Sequence, residues 1–130
     1  MKKKILVVDD EPDFVDLVKM RLEANDYEVL TAYDGQEALD KVHQESPDLI
    51  ILDVGLPKID GYEVISKLRA EERFRDIPVI MLTGHREAKD IKKGMELGAV
   101  SYIQKPFKDE TLLGIIQGLI SSKKNNLLQL

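Results

Sequence analysis

The sequence predicts an α/β fold in which a five-stranded parallel sheet is covered by helices on both faces. Three observations predict it. Short apolar runs of strand length recur five times, a segment with helical spacing follows each, and four of the five runs end on a charged or reactive side chain. Strict alternation of strand and helix implies right-handed crossovers, hence parallel strands buried on both faces.

The first run is Ile5-Leu6-Val7-Val8, and Pro12 suits the opening turn of a helix whose apolar stripe is Phe14, Leu17, Val18 and Leu22. The second is Val29-Leu30-Thr31-Ala32. Asp34 with Glu37 three residues later resembles a capping box before the stripe Ala38, Leu39 and Val42. Leu49 to Leu52 is the third run; Asp60-Gly61 then reads as a turn and helix start, leading to Val64, Ile65 and Leu68. The fourth, Val79 to Leu82, is followed by Ala88, Ile91 and Met95, with Gly98 as a C-terminal stop. Val100 to Ile103 is the fifth, and Leu112, Ile115, Ile116, Leu119 and Ile120 complete the pattern.

With 130 residues, 43% apolar and 33% charged, the chain is long enough for one core and short for two. It contains no cysteine, so a disulfide framework and a Cys-based zinc site are excluded, and a reducing compartment, by default the cytoplasm, is expected. The start MKKKILVV has the basic-then-apolar order of a signal peptide, but its apolar run stops at Asp9-Asp10-Glu11. No later run is long enough to span a bilayer. A formal net charge of -5 works against binding nucleic-acid phosphates, and the basic groups Lys2 to Lys4, Lys89/Lys92/Lys93 and Lys123-Lys124 read as solvated faces.

In an open parallel sheet the ligand crevice lies beyond the carboxyl ends of the strands. Asp53 directly follows the third run, Asp9 and Asp10 the first, Thr83 the fourth, and Lys105 closely follows the fifth; the second exits at Tyr33-Asp34, read as helix capping. Neighbouring carboxylates repel, and a hard cation such as Mg²⁺ with oxygen ligands relieves this, which makes Asp9, Asp10 and Asp53 candidate ligands. A carboxylate also attacks a phosphoryl group when cations offset the incoming charge, a role for Mg²⁺ and Lys105. The Thr83 hydroxyl is placed to donate to a phosphoryl oxygen. Each residue has a plainer alternative. Asp10 and Glu11 before Pro12 would favour a helix N-terminus, Thr83 would pack as a β-branched residue, Lys-Pro would be a loop, and Tyr102 a half-buried aromatic. His43 and His85 have no metal-ligand partner at helical spacing, and His43 is expected at the surface. Co-location at strand exits favours the site.

ILVVDDEP with Asp9-Asp10, LDVGLPKIDGYE with Asp53, MLTG with Thr83 and YIQKPF with Lys105-Pro106 together resemble the receiver domain of bacterial two-component response regulators, of the single-domain, chemotaxis-regulator-like type. The resemblance covers roughly residues 4 to 122. It implies a flavodoxin-like (βα)5 fold with strand order 2-1-3-4-5, a receiver over 1–122 and a polar tail or linker stub over 123–130. It implies that Asp53 accepts a phosphoryl group from a phosphohistidine on a sensor histidine kinase or histidine phosphotransfer protein, with the chain catalysing its own phosphorylation and its own dephosphorylation. Asp10 would contact Mg²⁺ directly, Asp9 largely through water, and the Gly55 carbonyl would add a ligand. Lys105 would pair with Asp53 before transfer and with the phosphate after it, with a cis bond before Pro106. Thr83 would move toward the phosphate and Tyr102 would swing inward as the switch.

Gly55 departs from the larger side chain common two residues after the acceptor, and His85 stands at the matching position after Thr83; these flank the path of attacking water, while Gly84 is the usual small residue. Haloacid-dehalogenase-like phosphatases share an Asp nucleophile, a Thr or Ser, a Lys and Mg²⁺, but use an Asp-x-Asp spacing that Asp9-Asp10-Glu11 lacks. A flavin-binding module would place phosphate against the acidic first turn. The chain as a receiver fragment of a larger DNA-binding regulator or hybrid histidine kinase is a further alternative. Without a helix-turn-helix, output is expected through a protein target at the fourth and fifth helices and the fifth strand, from a monomer or a phosphorylation-dependent dimer, without direct contact to nucleic acid or membrane.

Overall fold

A strand buried on both faces must send alternate side chains into two separate cores. The computed structural model, which describes residues 2–84 and 88–128, has five such strands: β1 (Lys4–Val8), β2 (Glu28–Ala32), β3 (Leu49–Asp53), β4 (Val79–Thr83) and β5 (Ser101–Gln104). All pair in parallel, in the order β2-β1-β3-β4-β5 expected from the resemblance. The helices are α1 (Pro12–Glu23), α2 (Gly35–Glu45), α3 (Gly61–Ala70), α4 (Ala88–Leu97) and α5 (Asp109–Leu128).

Ile5, Val7, Leu49, Ile51, Ile80, Leu82 and Ile103 point to one face and pack with Val15, Val18 and Leu22 of α1 and Leu112 and Ile116 of α5. Their sequence neighbours Leu6, Val8, Ile50, Leu52, Val79 and Met81 point to the other, against Ala38, Leu39 and Val42 of α2 and Val64, Ile65 and Leu68 of α3. The period of two in the strands therefore divides the helices between the layers.

Local signals set the helix ends. Pro12 occupies the first turn of α1. Asp34 caps α2 by accepting the Glu37 N–H at 2.8 Å, while the Glu37 carboxylate receives the Tyr33 N–H at 3.4 Å, one residue earlier than in a strict capping box. Asp60 caps α3 by accepting the Glu63 N–H at 2.9 Å. Beyond α4, Gly98 takes φ +120°, a conformation that glycine alone adopts freely. The Arg69 guanidinium closes this end of the molecule, donating to the carbonyl oxygens of Gly98 at 2.8 Å and Arg75 at 2.9 Å.

Four details differ from the reading of the sequence. On α1, Val15 is buried and Leu17 is 43% exposed, because with Pro12 setting the start the stripe Val15, Val18, Leu22 faces the sheet. On α4, Gly94 rather than Met95 faces the sheet, since a Cβ there would overlap the Met81 sulfur; Met95 lies at the surface. β5 begins at Ser101, and the Val100 side chain is exposed although its N–H reaches the Val79 carbonyl at 3.0 Å. Helix α5 continues to Leu128, through most of the segment expected as a polar tail. Ala88 and the lysines at 89, 123 and 124 belong to expectations whose side chains lie outside the described residues, as does His85 altogether.

Candidate functional site

The order β2-β1-β3-β4-β5 places β3 between β1 and β4, so the residues leaving β1, β3, β4 and β5 gather along one carboxyl edge. Asp9 leaves β1 with its N–H on the Ala32 carbonyl at 3.2 Å and its side chain fully buried. Its Oδ1 accepts the Glu11 N–H at 3.0 Å, and its Oδ2 receives the Lys105 ammonium at 2.5 Å. Asp53 ends β3 with its side chain 14% exposed; Oδ1 accepts the Gly55 N–H at 2.9 Å and Oδ2 lies 3.4 Å from Lys105 Nζ.

Lys105 is held from its own backbone: its N–H donates to the Thr83 carbonyl at 2.9 Å, and the following peptide bond to Pro106 is cis, as the motif implied. Thr83 is buried at the end of β4, in reach of the same edge. Lys105 lies nearer to Asp9 than to Asp53, whereas the resemblance pointed first to Asp53.

Asp9, Asp10 and Asp53 each bring a carboxylate oxygen within 4.8 Å of the other two, with Asp10 exposed, Asp53 partly covered and Asp9 buried. Oxygen donors grouped on one open edge fit a hard divalent cation that keeps part of its water. Gly55 is exposed, and a Cβ there would stand 3.7 Å from Asp53 Oδ1, in ordinary contact with the carboxylate. At Gly84 a Cβ would meet nothing within 4 Å.

Electrostatics follow from burial and partners. Burial raises the Asp9 carboxyl above the ordinary aspartate value, an effect opposed by the Lys105 and Glu11 hydrogen bonds and reinforced by the nearby Asp53 charge. Burial alone would lower the Lys105 ammonium, but its hydrogen bond to Asp9 and the charges of Asp53 and Asp9 outweigh burial and raise it. Lys105 is therefore charged at neutral pH.

Two site features escape the sequence pattern. The Phe14 ring lies beneath Lys105, with the ammonium 4.5 Å from the ring centroid, although its spacing marks Phe14 only as a member of the α1 stripe. Glu11 reaches to 4.0 Å of Lys105 Nζ, a contact its place in Asp-Asp-Glu-Pro does not reveal. Tyr102, the expected switch residue, is 45% exposed.

A doubly wound sheet carrying three aspartates, a threonine and a lysine on its carboxyl edge defines a class of signalling modules. The chain belongs to the response regulator receiver domain family, whose model matches residues 5–117, and is thus a receiver domain of two-component systems. It is 47% identical over 120 residues to the alkaline phosphatase synthesis transcriptional regulatory protein PhoP of Bacillus subtilis, covering 92% of this chain and 49% of that protein. Over 117 residues it is 43% identical to the DNA-binding dual master transcriptional regulator RpaA of a Synechocystis strain, covering 90% of this chain and 48% of that one. The chain thus spans about half the length of these curated relatives. Among solved structures it resembles the chemotaxis response regulator CheY4 of Vibrio cholerae, with a TM-score of 0.86, 35% identity, and coverage of 92% of this chain and 99% of that one.

Proposed function

We propose that residues 1–122 form a phosphoacceptor receiver in which Asp53 takes a phosphoryl group from a phosphohistidine on a sensor histidine kinase or histidine phosphotransfer protein. A carboxylate oxygen of Asp53 attacks phosphorus, the P–N bond breaks, and the imidazole leaves with its electron pair. Lys105 offsets charge on the phosphoryl oxygens, and Thr83 donates to one of them. Asp9, Asp10, Asp53 and the Gly55 carbonyl would hold Mg²⁺, which supplies further charge compensation when bound. Water attacking the acyl phosphate then restores Asp53, and Gly55 has no side chain to stand in its path.

The observation that carries this reading is the Asp53 carboxylate itself, held by the Gly55 N–H at 2.9 Å with Lys105 Nζ 3.4 Å from its other oxygen. Intact-mass spectrometry after incubation with acetyl phosphate, with and without Mg²⁺, tests it. One added phosphoryl group that requires Mg²⁺ and is absent from Asp53→Asn is expected; an adduct that persists in Asp53→Asn would sink the reading.

Output is proposed through α4, β5 and α5, with Thr83 and Tyr102 carrying the switch and the chain working as a monomer or a phosphorylation-dependent dimer. Exposed Met95, Val100 and Tyr102 support an apolar partner surface on α4 and β5. A cytoplasmic setting is proposed with it; among the described residues no helix is long and apolar enough to cross a membrane. The length of the regulators it matches favours a second reading, in which this receiver governs a DNA-binding region of a longer protein.

A further inference from the structure

Lysine is a point charge on a flexible four-carbon stem, so holding its ammonium at one spot takes more than one contact. At the carboxyl edge three contacts come from carboxylates, Asp9 Oδ2 at 2.5 Å, Asp53 Oδ2 at 3.4 Å and the exposed Glu11 Oε1 at 4.0 Å. A fourth comes from a ring: the ammonium sits over Phe14, 4.5 Å from the centroid. Phe14 is itself braced by Phe107, which meets it edge-on at 5.9 Å and 89°. The face of the ring carries partial negative charge and attracts the ammonium without taking a proton or competing for a cation.

We propose that Phe14 is a positioning residue for phosphoryl transfer, its ring holding the Lys105 ammonium in the corner between Asp9 and Asp53. The proposal rests on the phosphoacceptor reading of Asp53. Packing is the rival account, because Phe14 also lies against the α1–α5 core and lines a cavity of about 240 Å³ with Leu17, Val18, Phe107 and Leu112. The two accounts differ in what they require. Packing needs an apolar side chain of similar bulk, whereas positioning needs a ring face with its electrons in place.

Ring-fluorinated phenylalanines at position 14 separate them, since fluorine drains the ring face with little change of shape. The rate of phosphorylation from acetyl phosphate at saturating Mg²⁺ is expected to fall stepwise with fluorination, by roughly three- to tenfold at trifluorophenylalanine. Phe14→Leu falls comparably. Phe14→Trp keeps the wild-type rate or exceeds it, its extra ring directed into the cavity. In the NMR spectrum of the wild type, the Lys105 ε-methylene protons lie upfield through the ring current, and Phe14→Leu abolishes that shift. Equal rates across the fluorinated series, with the wild type phosphorylated, would overturn the positioning role alone. A wild type that gains no phosphoryl group overturns the phosphoacceptor reading and the kinetic role with it. Absence of the upfield shift overturns the stacking, whatever the rates.

Discussion

The Lys105 ammonium stands 2.5 Å from the Asp9 carboxylate, joining residues ninety-six positions apart, and Asp9 has no solvent exposure. The ion pair therefore supports the fold as well as the site. Removing one member of a buried pair leaves the other uncompensated, at a cost of about 3–5 kcal/mol. Lys105 retains some exposure and the Asp9 carboxyl can protonate, so Lys105→Met is expected at the lower end of that range. The Asp9 carboxyl in the folded protein is raised, so folding takes up protons as pH falls, and stability declines as pH rises from 3.8 through the raised value. Without Lys105 to oppose burial, that decline should steepen. Urea unfolding of both proteins between pH 4 and 8, without divalent cations, measures it; parallel curves would show that the pair contributes nothing.

Gly61 places the start of α3 directly against the end of β3, which carries the proposed acceptor Asp53. A Cβ there would lie 2.6 Å from Val54 Cα and 2.7 Å from the Asp53 carbonyl oxygen, and backbone atoms cannot give way as a flexible side chain can. Gly61→Ala is expected to lose about 1–3 kcal/mol of stability through overpacking. It should also slow phosphorylation, because the displaced backbone belongs to Asp53 and the residue after it. Denaturant midpoints and the acetyl phosphate rate, measured on one preparation, check both halves.

His43 provides a pH signature away from the site. Its Nδ1 lies 2.7 Å from the Leu39 carbonyl and its Nε2 3.1 Å from both Glu71 oxygens, so both ring nitrogens face acceptors and the charged imidazolium suits them. The Leu39 hydrogen bond and then Glu71 raise its pKa above the usual 6.5, against burial and the Arg73 charge. A raised folded value means that the stabilisation is complete below 6.5 and is lost as pH rises through the folded pKa. As an exposed pair it is worth no more than about 1 kcal/mol. The stability difference between wild type and His43→Gln should be greatest near pH 5 and vanish in alkaline buffer; a difference independent of pH would reject the imidazolium.

Much of this was legible from pattern. The five apolar runs alternate between two cores, and Asp34 and Asp60 announce α2 and α3, because period and capping are local properties. Strand order is not local. A parallel sheet of any order shows the same period, and the order β2-β1-β3-β4-β5 came from the likeness of the motifs to a family. Helix rotation was also hidden, since Val15 and Leu17 are equally apolar and only contact with the sheet chooses between them. The strand exits pointed to Asp9, Asp10, Asp53, Thr83 and Lys105 as candidates. They did not say which carboxylate Lys105 would approach, nor that Phe14 would lie under it, because both depend on side-chain rotamers where distant segments meet.

The sheet order also has a temporal meaning. The acidic ends of β1 and β3 are neighbours in the finished sheet, but the cation that neutralises them directly follows β5, the last strand in the sequence, at the far side of β4. Lys105 lies fifty-two residues after Asp53, so two fifths of the 130-residue chain must still be made between them. Until β5 docks, the like charges of Asp9 and Asp53 lack this internal counterion, and the site is complete only when the outermost strand is in place. Assembly of the whole carboxyl edge thus reports that folding has reached the border of the sheet.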